Sequence, residues 1–212
     1  MAKSTRRESM LDAGLSLLRT RALRDITLDD VAEIAGTTRS LVLYYFKTRD
    51  NFFFELADDY VSSLMEEFGP PPGDASSEWI VGEVNAFLKM VRRDTAVVEA
   101  ITVAMGGIEG VRELNDRITA FTAERVALAL GVKPGDSFLT PVLQSWGRAC
   151  VDVCLREISS GQRDMERLRS LILGHLTGVL QVVAAYEPSL HLQLPDFSPW
   201  LPARLQTSAT PS

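Results

Sequence analysis

The residue types best suited to chemistry lie between Thr27 and Arg49, where two short segments with helical apolar spacing are separated by Gly36. Two helices joined by a tight turn form a helix-turn-helix candidate, whose second helix enters the major groove of DNA. An arginine near the start of that helix can donate two hydrogen bonds to one guanine, while hydroxyls and amines suit phosphates. The candidate DNA-contacting residues are Thr27, Thr37, Thr38, Arg39, Ser40, Tyr44, Tyr45, Lys47 and Arg49.

Several of these residues also have a structural interpretation. Thr27 can cap the first helix, and Thr37 or Thr38 can cap the second, which we expect to extend through Phe46. One of the two neighbouring tyrosines, Tyr44 and Tyr45, is expected to pack inward. At the base edges, Arg39 is predicted to make the bidentate contact to guanine, and Ser40 can donate or accept a hydrogen bond.

The rest of the chain shows a helical period in nearly every segment, and no run alternates as a strand would. We therefore expect an all-α fold, with Gly and Pro residues separating the helices. The predicted helices are a first one carrying Met10, Ala13, Gly14, Leu17 and Leu18, a fourth from near Thr48 or Asp50 to before Gly69, and later ones over Ser76–Arg92, Asp94–Met105, Val111–Leu130, Ser137–Ser159 and Arg163–Tyr186.

Composition and charge narrow the class of protein. The 212 residues are 46% hydrophobic and 24% charged, which excludes a disordered or collagen-like chain. The net charge is −6, yet residues 1–49 hold nine Lys and Arg against six Asp and Glu, and the remainder holds 13 against 22. A basic head on an acidic body predicts that only the head meets a polyanion, although chance segregation of charge is an alternative.

The two cysteines and the apolar segments indicate the compartment. Cys150 and Cys154 lie four residues apart, a spacing with poor geometry for a disulfide on one helix, so a reducing cytoplasm is expected. Asp12 and Arg19 interrupt any apolar signal core near the N-terminus. The uncharged run from 170 to 186 is too short and too polar to predict a membrane span.

Catalysis and metal binding have little support in the sequence. A nucleophile built from Cys150 and His175 is the enzyme alternative, but no elbow or glycine-rich turn flanks either residue. Cys150, Cys154 and His175 lack a fourth ligand for zinc. The segment 106–110 lacks the lysine of a phosphate loop. We therefore predict no enzyme activity, no metal and no cofactor.

The segment Leu28–Asp50, LDDVAEIAGTTRSLVLYYFKTRD, resembles the signature of the TetR family of bacterial transcriptional regulators. The resemblance covers about residues 6–64; Leu43 stands where the family commonly has a tyrosine. It implies a homodimer with a helix-turn-helix head, here residues 1–49, and a ligand-binding and dimerising body, residues 50–188. Residues 50–67 would form the connecting helix, and residues 189–212 a partly disordered tail.

The resemblance implies that the last two long helices form the dimer interface. The apolar spacing of the last helix fits this, although a helix buried centrally within one subunit is the alternative. The candidate interface residues are Leu171, His175, Gly178, Val179 and Val182. A two-fold symmetric dimer predicts a double-stranded operator that is an inverted repeat.

The body is also expected to bind a small-molecule effector. Apolar, polarizable residues suit such a pocket, though they are as readily core. The candidates are Phe87, Met90, Met105, Phe121, Trp146 and Cys150. We expect a cytoplasmic repressor released by a small hydrophobic effector, with a cationic one as a variant. The alternatives are a constitutive DNA binder and an all-helical dimeric interaction protein.

Overall fold

The computed structural model describes residues 2–69, 71, 76–133, 138–161 and 164–202, with side chains from Arg6 onwards. Within these residues the chain is helical and contains no strand, so the all-α prediction is confirmed. The helices are α1 Ala2–Leu18, α2 Leu28–Ile34, α3 Arg39–Phe46, α4 Arg49–Phe68, α5 Ser77–Arg93, α6 Thr95–Glu99 continuing as a π-helical turn Ala100–Ala104, α7 Val111–Ala129, α8 Leu139–Ser159 and α9 Met165–Tyr186.

Three threonines set where α2, α3 and α4 begin. The side chains of Thr27, Thr38 and Thr48 each accept a hydrogen bond from the backbone N–H three residues later. Such a cap satisfies one of the otherwise unpaired N–H groups of the first turn. The predicted start of each helix is confirmed, with Thr38 rather than Thr37 as the cap of α3.

The chain forms two compact units, and the first comprises Met1–Gly69 and Asp94–Ile118. Its core is built by α1–α4 around three fully buried rings, those of Phe46, Phe52 and Phe53. The rings of Phe46 and Phe52 meet edge to face with centroids 4.9 Å apart, a favourable aromatic geometry. This core fixes the C-terminal end of α3 against the start of α4.

A buried carboxylate ties the same unit together away from α3. Asp94 is 1% exposed, and its two oxygens accept hydrogen bonds from Arg19 Nε at 2.9 Å and from the Tyr60 hydroxyl at 3.1 Å. The end of α1 and the middle of α4 are thereby joined to the residue that precedes α6. Because the carboxylate is paired and hydrogen-bonded, its burial is tolerated.

The second unit comprises Pro70–Arg93 and Thr119–Ser212, and in it α5, α8 and α9 pack against one another. By length and composition alone, α9 could cross a membrane. It is longer than the uncharged run 170–186, because it begins at Met165. One side of it is buried against protein, and 33% of its apolar window is buried. The buried residues are Leu168, Ile172, Leu173, Leu176, Leu180 and Val183.

The division into compact units does not coincide with the predicted boundary at residue 49. The first unit also contains α4 and α6, because Phe52, Phe53, Leu56 and Ala57 of α4 are buried in the core that α1–α3 share. The boundary at residue 49 describes function and stays a prediction. In the tail, Phe197 is 2% exposed and the Ser170 hydroxyl donates to the Trp200 carbonyl, whereas residues 203–212 lie outside the described residues.

Candidate nucleic-acid interface

The turn between α2 and α3 is a tight C-cap built on Gly36. Gly36 has φ +61°, a left-handed conformation that costs glycine little. The N–H of Thr37 donates to the carbonyl of Ala32 at 2.8 Å, and that of Gly36 donates to Glu33 at 3.2 Å. These bonds satisfy the last carbonyls of α2. The chain then reaches Thr38, which starts α3 two residues after the turn.

α3 has one face in the core and one in solvent. Val42 and Phe46 are fully buried, which confirms that Phe46 packs inward. The exposed positions recur at helical spacing and therefore form one continuous surface. That surface, called here the α3 outer face, comprises Arg39, Ser40, Tyr44 and Lys47, with half-buried Leu43 between them. Tyr45 is the half-buried tyrosine, and Tyr44 is 60% exposed.

Arg39 occupies the N-terminal end of the α3 outer face. Its Nε lies 3.6 Å from Asp29 Oδ2, and both side chains are more than half exposed. An ion pair this exposed contributes at most about 1 kcal/mol, so it leaves the guanidinium able to turn towards another acceptor. In a helix-turn-helix that binds DNA, a guanidinium at this end of the second helix can reach a base edge.

Lys47, the residue that follows α3, has an unusual backbone conformation. Its φ is +68°, a region that residues other than glycine seldom occupy. The ammonium donates to the carbonyl of Tyr44 at 2.8 Å and lies 5.1 Å from the centre of the Tyr44 ring. The two side chains therefore form one exposed cationic and aromatic pair at the end of the α3 outer face.

Two of the predicted contact residues are engaged within the protein. The Thr27 hydroxyl and backbone N–H both bond the Asp30 carboxylate, which lowers the pKa of Asp30. Arg49 Nη2 donates to the carbonyls of Leu23 at 2.7 Å and Ile26 at 3.2 Å, and its guanidinium lies 4.7 Å from the Phe53 ring centre. The guanidinium of Arg49 thus holds the loop before α2 onto α4.

A depression of about 340 Å³ adjoins these residues and was not anticipated from the sequence. Its lining brings Arg24 close to Arg39 and Arg49, with Thr27 and Asp29 at its edge. Arg24 counted towards the basic charge of the head, but its position on a short 3₁₀ turn carries no helical period that would have placed it. The depression concentrates positive charge beside the start of α3, which suits a phosphate.

The outer side of α9 carries the predicted dimer residues. Leu171 and Val182 are 51% and 53% exposed, and His175 and Gly178 are exposed between them, while Val179 is half-buried. The apolar residues of α9 therefore lie on two different faces of the helix. Leu168, Ile172 and Val183 point into the unit, and the predicted interface residues other than Val179 form the opposite, open face.

The predicted effector residues do not all belong to one unit. Met105 is fully buried in the core that contains α1–α4, whereas Phe87, Met90, Phe121, Trp146 and Cys150 lie in the second unit. Trp146 is buried and its Nε1 donates to the carbonyl of Ile172.

Cys150 and Cys154 lie on α8, the helix that carries Trp146, and both thiols are buried. Burial raises the pKa of Cys150 and of Cys154 to about 12, so both are neutral at physiological pH. Among the described residues no group of three or more His, Cys, Asp or Glu side chains could hold a metal ion.

The segment from the middle of α1 to the start of α4 is similar to a known protein family. Residues 10–56 match the family model described as "Bacterial regulatory proteins, tetR family". No curated protein sequence matches the chain. The family match covers the whole helix-turn-helix and the start of α4.

Solved structures extend the similarity to the full fold. A tetR-family transcriptional regulator from Streptomyces coelicolor is 18% identical with a TM-score of 0.78, covering 90% of this chain and 87% of that one. A TetR transcriptional regulator from Rhodococcus sp. RHA1 is 19% identical with a TM-score of 0.63, covering 84% and 96%. NalD from Pseudomonas aeruginosa, the secondary repressor of the MexAB-OprM multidrug efflux pump, is 12% identical with a TM-score of 0.54, covering 85% and 96%.

Proposed function

We propose that the chain is a DNA-binding transcriptional regulator of the TetR family, which its match over residues 10–56 supports, and that it acts as a cytoplasmic, dimeric repressor. The proposed repressor is released from an inverted-repeat operator by a small molecule. The family and the similar folds are regulators rather than enzymes. One of the similar structures, NalD, is described as a repressor, which agrees with the proposed direction of control.

The single observation that carries the proposal is the α3 outer face. Its exposed side chains are a guanidinium, two hydroxyls and an ammonium, on a short helix held rigidly by Val42 and Phe46. Rigid placement of such donors is what base reading in the major groove requires. Arg39 is proposed to read a base, and Ser40, Tyr44 and Lys47 to hold phosphates, with Tyr45 and Thr37 beside them.

The caps qualify the roles of other predicted contacts. Thr27 and Thr38 are engaged as caps. Because the backbone N–H and the hydroxyl of Thr27 already donate to Asp30, of these two threonines Thr38 is proposed to meet a phosphate, at the edge of the interface. Arg49 is proposed as a support for the loop before α2, since its guanidinium already binds two carbonyls there.

The proposed operator symmetry follows from a proposed dimer that forms through the outer side of α9. The exposed Leu171, Val182 and Tyr186 form an apolar stripe that a second subunit would cover, and Gly178 permits close approach of a helix. A two-fold axis in the protein then demands an inverted repeat in the DNA.

Selection of bound sequences from random double-stranded DNA tests the proposal. We expect an enriched inverted repeat and an affinity that falls steeply with salt, because phosphate contacts release counterions. Enrichment of no sequence would contradict operator binding and favour an interaction protein. A selected operator that no metabolite or drug releases would instead favour a constitutive DNA binder.

A further inference from the structure

A buried arginine lies in the second unit, outside the DNA-binding helices. Arg125 of α7 is 5% exposed, and its Nη2 lies 2.6 Å from the Glu83 carboxylate of α5. The guanidinium carbon lies 5.3 Å from the centre of the Trp79 ring and 5.2 Å from that of Phe121. The guanidinium therefore lies beside the rings of Trp79 and Phe121 and the carboxylate of Glu83.

The two partners of this ion pair differ in their access to water. The Arg125 side chain is 6% exposed, whereas the Glu83 side chain is 27% exposed. A buried cation requires an anion beside it, since leaving it unpaired is strongly destabilising. Glu83 can turn its carboxylate into solvent when another anion takes its place beside Arg125, whereas Arg125 is confined by the rings of Trp79 and Phe121.

This asymmetry selects the charge of a ligand. A carboxylate that replaced Glu83 would keep Arg125 paired and could accept two parallel hydrogen bonds from its planar fork. A cation attracted to Glu83 would instead leave the guanidinium of Arg125 without that carboxylate. Charge complementarity thus favours an anion at this place.

The surroundings of the ion pair are apolar. Trp79, Glu83, Phe87 and Met90 recur along α5 at steps of four, four and three, so they lie on one side of that helix. All four are half-buried, as is Phe121 on α7. A ligand with its charged end at Arg125 would have aromatic and thioether side chains beside its remaining part.

We propose that Arg125 binds the carboxylate of an apolar organic acid, which displaces Glu83. The proposal rests on the ligand response proposed above and names the chemical class of that ligand. It differs from the expectation of a small hydrophobic effector with a cationic variant, which was drawn from apolar residues alone and did not include Arg125.

Calorimetric titration of the full-length protein with octanoate, octanol and octylammonium tests the charge preference at constant chain length. We expect octanoate to bind at least about tenfold more tightly than octanol, the gain of a charge-assisted hydrogen bond, and octylammonium to bind weakest. Glu83→Gln removes the competing carboxylate, and helical circular dichroism must first show that the variant retains its fold. In the folded variant the affinity for octanoate should rise by about threefold or more while that for octanol is unchanged.

Two further variants separate ligand binding from folding. Glu157→Gln removes a carboxylate of similar exposure, 29%, that pairs with Arg167 in the same unit, and it should leave octanoate affinity unchanged. Arg125→Lys keeps the charge but loses the fork, so the preference for octanoate over octanol should shrink while helical circular dichroism is retained.

Equal affinities for octanoate and octanol, no octanoate binding in wild type and Glu83→Gln, or a loss of octanoate affinity in Glu83→Gln would overturn the proposal. Release of the selected operator is measured separately. If octanoate binds through Arg125 without releasing DNA, the carboxylate site stands and the proposed ligand response fails. If another molecule releases DNA equally from wild type and Arg125→Lys, the ligand response stands and the assignment of Arg125 is wrong.

Discussion

Gly14 of α1 lies directly against the ring of Phe52 of α4. A Cβ atom built on Gly14 would stand 2.6 Å from Cζ of Phe52, closer than real Cβ contacts allow, and 2.5 Å from Cδ1 of Leu56. The Phe52 ring is fully buried and also packs edge to face against Phe46, the last residue of α3. The absence of a side chain at residue 14 thus sets how closely α1 approaches the helix that supports α3.

Gly14→Ala should destabilise the protein in spite of the higher helix propensity of alanine. The added methyl group must displace two fully packed side chains, which costs about 1–3 kcal/mol. Gly82→Ala is the matched control, because Gly82 also lies within a helix and its Cβ would meet nothing within 4 Å. It should stabilise by up to about 1 kcal/mol. Urea denaturation followed by circular dichroism measures both; equal effects would contradict the contact.

Local signals in the sequence sufficed for the helices of the head. The side chain of a capping threonine accepts a hydrogen bond from the backbone N–H three residues later, and Gly36 supplies the backbone conformation that ends α2. Both features depend only on residues that are neighbours in the chain. Gly14 also fell on the correct apolar stripe. Its pattern could not show why glycine is needed there, because Phe52 lies 38 residues away.

Contacts between residues distant in the chain explain why the environments of Arg49, Met105 and Arg125 could not be predicted from the sequence. Arg49 has the charge of a phosphate contact, but its guanidinium is taken by carbonyls of Leu23 and Ile26 that only the folded loop brings near. Met105 has the chemistry of a pocket residue and lies in the core of the other unit. Arg125 is a charged residue of α7, and the helical period of apolar residues predicts that charged residues lie on the surface. The pattern therefore gave no sign that Arg125 is buried.

The two buried thiols should be unreactive in the native protein. A rise in pKa from 9.0 to about 12 lowers the thiolate fraction near neutral pH by about a thousandfold. We expect an aromatic disulfide reagent at pH 8 to label neither Cys150 nor Cys154 until denaturant is added, and then to label both. Rapid labelling of one thiol without denaturant would contradict its burial.

The same shift gives stability a pH dependence. Because the folded pKa of each thiol lies above the unfolded value, the folded state holds the proton longer. The contribution of the two protonated thiols to the free energy of unfolding is therefore present in full below about pH 9. It declines as pH rises from 9 towards 12, because the unfolded chain then loses these protons more readily than the folded one.

Val182→Glu should separate the proposed dimer without unfolding the subunit. Val182 is 53% exposed in the single chain, so a carboxylate there is solvated in the monomer but would be buried and unpaired in an α9 interface. Sedimentation velocity should show a monomer, and helical circular dichroism should be unchanged. Binding to the inverted repeat should weaken because one head binds without the other.

Leu128→Glu is the control for that experiment. Leu128 is an exposed apolar residue of α7, 44% exposed, and receives the same chemical change outside the proposed interface. It should remain a dimer and bind DNA normally. A Val182→Glu protein that sediments as a dimer would place the interface elsewhere, and monomers in both variants would indicate a general effect of added negative charge.

Arg39→Ala should relax base choice at one position in each half-site of the selected operator. The bidentate contact of an arginine with guanine accounts for about 1–3 kcal/mol of discrimination, and the ion pair of Arg39 with Asp29 is too exposed to oppose it strongly. Mobility-shift titrations of the operator and of single-base variants should show that the variant protein binds guanine and its replacements at that position with similar affinity.

Lys47→Ala provides the contrasting result on the same α3 outer face. Lys47 lies at the opposite end of the α3 outer face, where its ammonium is proposed to meet a phosphate. Its loss should weaken binding to every sequence alike and reduce the slope of log affinity against log salt by about one. The two variants therefore differ in kind: Arg39→Ala changes sequence preference, and Lys47→Ala changes salt dependence. If Arg39→Ala lowers affinity for all sequences equally, Arg39 is a phosphate contact, and base reading must come from another residue of the face.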